Sequence, residues 1–308
     1  MAVRTRFAPS PTGDLHLGGA WTALASWVVA RREAGGRCVL RVEDLDPPRV
    51  VAGSEARIAE ELRWLGLGWD EEAPRQSVRT AAYEAALAKL AAAGLVYPCD
   101  CSRAEIARAA SAPHAGEETV YPGTCREADP GREMKRAPAW RVRVPADVVA
   151  YEDGAVGRVE QDLARVVGDF VLRRGDGVFA YQLAVVVDDA EEGITDVVRG
   201  ADLVASTPRQ IWLGRALGLP VPRFTHVALV VASDGQRLEK RTQGATVREL
   251  RSAGVRAERL LGELASGLGL TPSNDPATAQ QIAERSSGQT IRWRTTPWPI
   301  PASLVTAQ

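Results

Sequence analysis

The chain has 308 residues, 45% hydrophobic and 25% charged, and its 38 basic and 39 acidic side chains leave a net charge of −1. This is ordinary soluble globular composition, long enough for one large domain or two modest ones, and the charge balance argues against a protein coated in nucleic acid, though not against transient contact through a local basic patch. The first residues are polar as far as Pro9, without a signal-peptide pattern, and the apolar run 21–30 is too short to cross a bilayer, so a cytoplasmic protein with no membrane partner is expected.

In chain order, a β-like run at residues 3–7 leads into a turn, Ala8-Pro9-Ser10-Pro11-Thr12-Gly13-Asp14-Leu15-His16-Leu17-Gly18-Gly19. A helical pattern at 19–34, a Gly35-Gly36 turn and a strand at 37–42 complete a βαβ unit, which requires a parallel sheet. A strand, a glycine-shaped turn and a helix start are how α/β folds build phosphate sites, because the first helical N–H groups are unpaired and the dipole end is positive. A Pro/Gly turn alone is usually just a loop, but Arg6, Ser10, Thr12 and His16 are more polar chemistry than a connection needs. Three acids follow the second strand in Arg41-Val42-Glu43-Asp44-Leu45-Asp46-Pro47, where open α/β sheets bind ligands. Asp46, before a proline, reads as a solvated turn, and Glu43 as functional.

Helical patterns at 54–65 and 80–93 come next, with Gly94 as a stop. Residues 95–98 are extended and lead into Cys99-Asp100-Cys101, after which Ser102 and Glu105 form a capping box for a short helix. Residues 111–137 lack periodicity and form a loop pinned by Cys101 and Cys125. Three thiols on a pinned loop point to zinc, which needs a fourth ligand; by ligand chemistry alone His114 is the nominee. The fourth cysteine, Cys38, reads as a small core residue. Further on come a strand at 140–144 in a mixed stretch, a hairpin-type turn at 174–177, apolar runs at 179–189 and 194–199, a helix at 207–217 and a strand at 224–231. By pattern alone Tyr181 is a core aromatic and Arg199 a surface charge. A basic turn, Asp234-Gly235-Gln236-Arg237-Leu238-Glu239-Lys240-Arg241, precedes helices at 246–253, 256–268 and 276–285. The tail, with Trp293 and Trp298 among prolines, is expected to pack back on the body.

The run Arg6 to Gly19 resembles the signature of class I aminoacyl-tRNA synthetases of the bacterial glutamyl group, with His16-Leu17-Gly18-Gly19 standing where the class has His-Ile-Gly-His. The resemblance runs from about residue 4 to about residue 242. It implies an α/β fold with a Rossmann-like parallel sheet at 1–245, interrupted by a zinc-bearing insertion at 96–165 and followed by a short helical C-terminal region at 246–308. His16, Gly18, Gly19 and the helix start then bind ATP, with His16 stabilising the α-phosphate. Arg6 and Arg199 take the side-chain carboxylate of L-glutamate, Glu43 its amino group, and Ala8, Ser10 and Tyr181 line its pocket. The basic turn stands where the class carries Lys-Met-Ser-Lys-Ser. There Lys240 supports the leaving pyrophosphate and Arg237 replaces the first lysine, while Glu239 places an anion near the phosphates. The family pattern Tyr-x-x-x-Cys nominates Tyr121 as the fourth ligand beside Cys99, Cys101 and Cys125.

Only about 65 residues follow Arg241, too few for the anticodon-binding region of full-length glutamyl enzymes. This matches the short glutamyl-Q branch of the group. The resemblance therefore implies a monomeric ligase that adenylates glutamate with ATP and Mg2+ without tRNA. It then transfers glutamate to the queuosine base in the anticodon loop of tRNA-Asp. Two alternatives share the scaffold: another adenylate-forming amino-acid ligase, and a catalytically weak paralogue that binds glutamate or RNA.

Overall fold

The first βαβ unit sets the position of everything else. In the computed structural model, which describes residues 2–109, 120–129, 131–236, 246–301 and 304, β1 (Arg4–Phe7) leads into α1 (Leu17–Arg31) and β2 (Arg37–Leu40). The two strands pair in parallel, with Phe7 opposite Leu40. Leu17, Leu24 and Val28 of α1 are fully buried. Its buried Ser26 accepts a hydrogen bond from Thr5 at its carbonyl (3.0 Å) and donates from its hydroxyl to the Val198 carbonyl (3.2 Å). The helix is thereby stitched to two strands far apart in sequence, and its N-terminus is held over their carboxyl ends.

The chain continues through α2 (Ser54–Trp64), β3 (Glu71–Glu72), α3 (Thr80–Ala92), β4 (Val96–Cys99), α4 (Arg103–Ala109), β5 (Ala139–Val142), β6 (Val148–Asp153), β7 (Gly157–Asp162), α5 (Leu163–Val166) and β8 (Val171–Arg173). It then forms α6 (Tyr181–Glu191), β9 (Asp196–Gly200), α7 (Thr207–Leu217), β10 (Arg223–Val227), β11 (Val230–Val231), α8 (Val247–Ser252), α9 (Ala257–Leu268), α10 (Ala279–Ser286) and β12 (Trp298–Pro299). β3 extends β2 in parallel, and β9 pairs in parallel with β10. Arg4 and Thr195 exchange hydrogen bonds of 2.8 and 2.9 Å, which brings the start of β9 alongside β1. β10 meets β6 in parallel at Phe224 and Asp153, and β6 turns back antiparallel into β7. A separate antiparallel sheet, β4-β5-β8, carries the cysteine segment.

Sequence pattern and structure differ in three places. The apolar run 179–189, which periodicity alone does not divide between strand and helix, is α6, and it buries Leu183, Ala184 and Val187 on one face. The strand expected at 224–231 is two strands, β10 and β11, broken at Ala228-Leu229. The β6–β7 hairpin is not foreshadowed, because β7, Gly-Arg-Val-Glu-Gln-Asp, is polar and buries no residue fully, so it lacks the apolar alternation that marks a strand. Asp46 is half-buried, and its side chain makes no capping bond to the 3-10 turn that follows but lies 3.6 Å from Arg174.

The tail does pack back. Trp298 stacks on Trp21 of α1 with ring centroids 4.9 Å apart, and β12 pairs in parallel with β11. The two rings leave no room at Gly267, where an added Cβ would lie 2.6 Å from Trp298 and 2.8 Å from Trp21. Overpacking a rigid aromatic contact costs ~1–3 kcal/mol. Gly267→Ala should therefore lower the thermal midpoint by several degrees, measured by circular dichroism; an unchanged midpoint would show that the tail is not tightly docked.

Candidate active site

The turn between β1 and α1 is held from several sides. Glu43 N–H donates to the Pro9 carbonyl (3.1 Å) and Val51 N–H to the Pro11 carbonyl (2.9 Å). Ser54 Oγ accepts from Gly13 N–H (3.1 Å), and the buried Glu61 carboxylate accepts from Leu15 N–H (2.8 Å). The first turn of α1 thus faces a cavity of about 870 Å3. Gly18 looks onto open space, since a Cβ added there would meet nothing within 4 Å, so a ligand can approach the backbone. The cavity gathers Arg6, Ala8, Ser10, His16, Gly18, Gly19, Glu43, Tyr181 and Arg199. Arg237 and Lys240 lie outside the described residues. Close to the first turn of α1, Thr246 pairs with His16 in an antiparallel bridge and Val247 N–H donates to the Leu15 carbonyl (2.9 Å).

Beneath the cavity lies a layer of buried charge. Arg41, fully buried, places Nη1 2.8 Å from both Asp189 and Glu192 and Nη2 3.3 Å from Glu43. Arg6 bonds Asp189 through Nε at 3.0 Å; among the described residues its terminal nitrogens have no hydrogen-bond partner. Burial pushes the Glu43 carboxyl above its ordinary value, with Arg41 and Arg6 opposing, and pushes Glu192 up to about 7. Asp189 is held below the usual carboxylate range: the charges of Arg6 and Arg41 outweigh its burial.

Arg199 is different. It is 5% exposed, and its described partners are all neutral: Nε donates to His226 Nε2 (3.0 Å), Nη2 to Thr207 Oγ1 (2.7 Å) and Nη1 to the Tyr181 hydroxyl (3.5 Å). Burial pulls its pKa down. No described carboxylate lies within ion-pair distance of it. A buried cation of this kind is costly unless an anion joins it.

The sequence pattern did not reveal Arg41, Asp189, Thr207, Asp153 or His226 as site residues. One signal was available for His226, since the chain has three histidines and this one sits alone in an apolar strand pattern. A second cavity, of about 920 Å3, lies between α2 and the segment 72–75. There Arg75 pairs with Glu55 at 2.8 Å and Glu72 accepts from the Trp69 indole at 2.9 Å, whereas the residues named from the motifs line the first cavity.

On the small antiparallel sheet, the Cys99, Cys101 and Cys125 sulfurs all lie within 4.8 Å of one another. A tetrahedron with metal–sulfur bonds of about 2.3 Å has edges of about 3.8 Å, so the three thiols fit zinc. The Tyr121 hydroxyl is 3.3 Å from Cys99 Sγ and 3.8 Å from Cys101 Sγ, while His114 lies outside the described residues. Asp100, between the first two cysteines, accepts from Arg132 Nη1 (3.0 Å) and Lys135 N–H (2.9 Å) and fixes the loop around the thiols. A bound metal would stiffen this segment. Purified protein should carry close to one zinc per chain, and Tyr121→Phe should lose it to a chelator faster than His114→Ala. Metal-free protein, or the reverse order of loss, would contradict this assignment.

A family model for the catalytic domain of class I tRNA synthetases (E and Q) matches residues 2–293. With the parallel sheet and the His-Leu-Gly-Gly helix start, it defines a class I synthetase catalytic domain and hence an enzyme of the ligase type. The chain is 49% identical over 94% of its length to the glutamyl-Q tRNA(Asp) synthetase of Geobacter sulfurreducens, covering 89% of that protein. It is 44% identical to that of Nitratidesulfovibrio vulgaris, covering 98% of this chain and 97% of that one. By these identities the chain belongs to the glutamyl-Q tRNA(Asp) synthetase family. Among solved structures, a glutamate tRNA ligase from Elizabethkingia meningosepticum in complex with its amino acid superposes with a TM-score of 0.85 at 26% identity, over 99% of this chain and 68% of that one. None of the described helices is long and apolar enough to cross a membrane.

Proposed function

We propose that the enzyme activates L-glutamate with ATP without requiring tRNA, and transfers it to the queuosine base in the anticodon loop of tRNA-Asp. The observation that carries the first half is Arg199, a buried cation with neutral partners facing a cavity. A glutamate side-chain carboxylate would supply the missing anion, with the terminal nitrogens of Arg6 as a second set of donors. Glu43 would receive the amino group, and Ala8, Ser10 and Tyr181 would shape the wall. This leaves the α-carboxylate directed toward the first turn of α1.

In the first step an α-carboxylate oxygen attacks the α-phosphorus of ATP and pyrophosphate leaves. His16 and the unpaired N–H groups of α1 would stabilise the charge that grows on the phosphate oxygens, and Gly18 lets the phosphate reach the backbone. Arg237 and Lys240 would support the pyrophosphate, with Mg2+ bound to the ATP. In the second step a hydroxyl of the queuosine ring attacks the activated carbonyl, AMP leaves, and the hydroxyl proton passes to solvent. The acceptor assignment is supported by likeness: the chain is 44% identical to a glutamyl-Q tRNA(Asp) synthetase, covering 97% of that protein, against 26% to a glutamate tRNA ligase. A single-stranded loop can splay a base into a pocket at little cost. In the domain division we favour, residues 1–245 form the catalytic unit, 96–165 its insertion and 246–308 a helical extension.

Pyrophosphate exchange should proceed with L-glutamate, without tRNA, and not with glutamine or aspartate. Arg199→Ala should cut kcat/KM for glutamate by roughly a hundredfold or more, since one partner of a desolvated charge pair is lost. Equal use of glutamine would overturn the pocket assignment. Labelled glutamate should appear on tRNA-Asp only when queuosine is present, and should survive removal of the terminal adenosine. Charging of tRNA-Glu at its terminal adenosine, with none on queuosine-bearing tRNA-Asp, would instead make this a shortened conventional synthetase.

A further inference from the structure

We propose that Asp153 and His226 are positioning residues that fix the Arg199 guanidinium and thereby set the preference for a carboxylate over a carboxamide substrate. The inference rests on the glutamate reading above and adds two residues that touch neither substrate nor ATP in it. His226 is fully buried in β10, and Asp153 is buried at the end of β6. The Asp153 Oδ2 atom lies 2.5 Å from His226 Nδ1, and Oδ1 accepts the His226 backbone N–H at 3.1 Å. The same Oδ1 accepts from Ala155 N–H (2.9 Å) and Val156 N–H (3.1 Å) in the β6–β7 turn. The carboxylate is therefore locked by its own hairpin.

The hydrogen-bond polarity of the chain follows from one fact. A guanidinium N–H only donates. His226 Nε2, 3.0 Å from Arg199 Nε, must present its lone pair, so the ring proton sits on Nδ1 and donates to Asp153. Burial, with the Arg199 charge, pulls the imidazole below its ordinary value despite the aspartate, consistent with a neutral ring. Thr207 Oγ1 accepts from Arg199 Nη2, and its hydroxyl reaches back to the Leu203 carbonyl at 3.3 Å. Nε and Nη2 of the guanidinium are thus met by neutral acceptors, among the described residues Nη1 reaches only the Tyr181 hydroxyl at 3.5 Å, and Arg199 lines the cavity.

The neutral ring matters for selectivity. A carboxylate bonded directly to Arg199 would neutralise it and compete with the substrate's own carboxylate. His226 relays orientation from Asp153 while holding that anion one imidazole away. The arginine keeps a fixed direction and an uncompensated charge, and a carboxylate gains more from that than a neutral amide does.

The test uses isosteric changes. In Asp153→Asn, the three backbone N–H donors hold the amide oxygen, so the amide NH2 faces Nδ1. The ring must then move its proton to Nε2, where it opposes the arginine N–H. In His226→Gln the amide oxygen can reach the place of Nε2, while His226→Leu offers no acceptor. Exchange kinetics for glutamate and glutamine, with KM for ATP and melting curves, would be measured on all three variants. Asp153→Asn and His226→Leu should raise KM for glutamate about tenfold or more, narrow the glutamate-to-glutamine ratio, and leave KM for ATP within about twofold; His226→Gln should recover part of the loss. Variants that melt like the parent and keep its KM and its amino-acid preference would overturn this proposal alone. A parent enzyme that shows no glutamate-dependent exchange would overturn the glutamate reading, and this one with it.

Discussion

Three arginines are buried around one cavity, and two of them have carboxylates to answer them. Arg41 meets Asp189, Glu192 and Glu43, and Arg6 meets Asp189. Arg199 meets a histidine, a threonine and a tyrosine. Removing a charge from water costs several kcal/mol unless it is paired. The asymmetry is therefore a stored demand for an anion, in a cavity that the acid Glu43 also lines. A ligand that carries both an anion and a cation, an amino acid with a carboxylate side chain, answers both at once.

The rest of the fold keeps that demand in place. Ser26 ties α1 to β1 and to β9, the strand that carries Arg199. α6 delivers Tyr181 at its first residue and Asp188 and Asp189 two turns later, so a single helix supplies both a cavity wall and the counter-charges beneath it. Asp188 is itself held by Gln76 (2.7 Å), Arg79 (2.6 Å) and Tyr83 (3.0 Å), which anchors α6 to the region around α3. The β6–β7 hairpin places Asp153 against β10. Substrate selection would then depend on a segment well removed in sequence from the phosphate-binding turn.

Local signals were legible in the sequence, and distant pairings were not. The turn from Arg6 to Gly19, Glu43 and the pair Cys99 and Cys101 announce themselves within a few residues, and the cavity gathers nine of the residues named from motif and resemblance. Helix starts and stops were readable from caps: Ser102 and Glu105 form their reciprocal bonds at 2.7 and 3.1 Å, and Gly94 adopts the left-handed φ of +70° that stops α3. Asp189 with Arg6 and Asp153 with His226 are separated by 183 and 73 positions. No periodicity links such residues; only the pairing of β9 and β10 beside β1, and of β6 beside β10, brings them together. The hairpin itself escaped notice because its outer strand is polar on both faces.

The cysteine cluster lies on the small antiparallel sheet, and none of its three thiols lines the cavity. A metal held by the thiols would stiffen the segment around them, and Thr246 pairs with His16 at the start of α1. A crystal structure with L-glutamate bound tests the reading of the cavity most directly. The side-chain carboxylate should lie within hydrogen-bond distance of Arg199 and Arg6, and the amino group on Glu43. A glutamate bound the other way round, with its amino group toward Arg199, or seated in the second cavity beside α2, would contradict that reading.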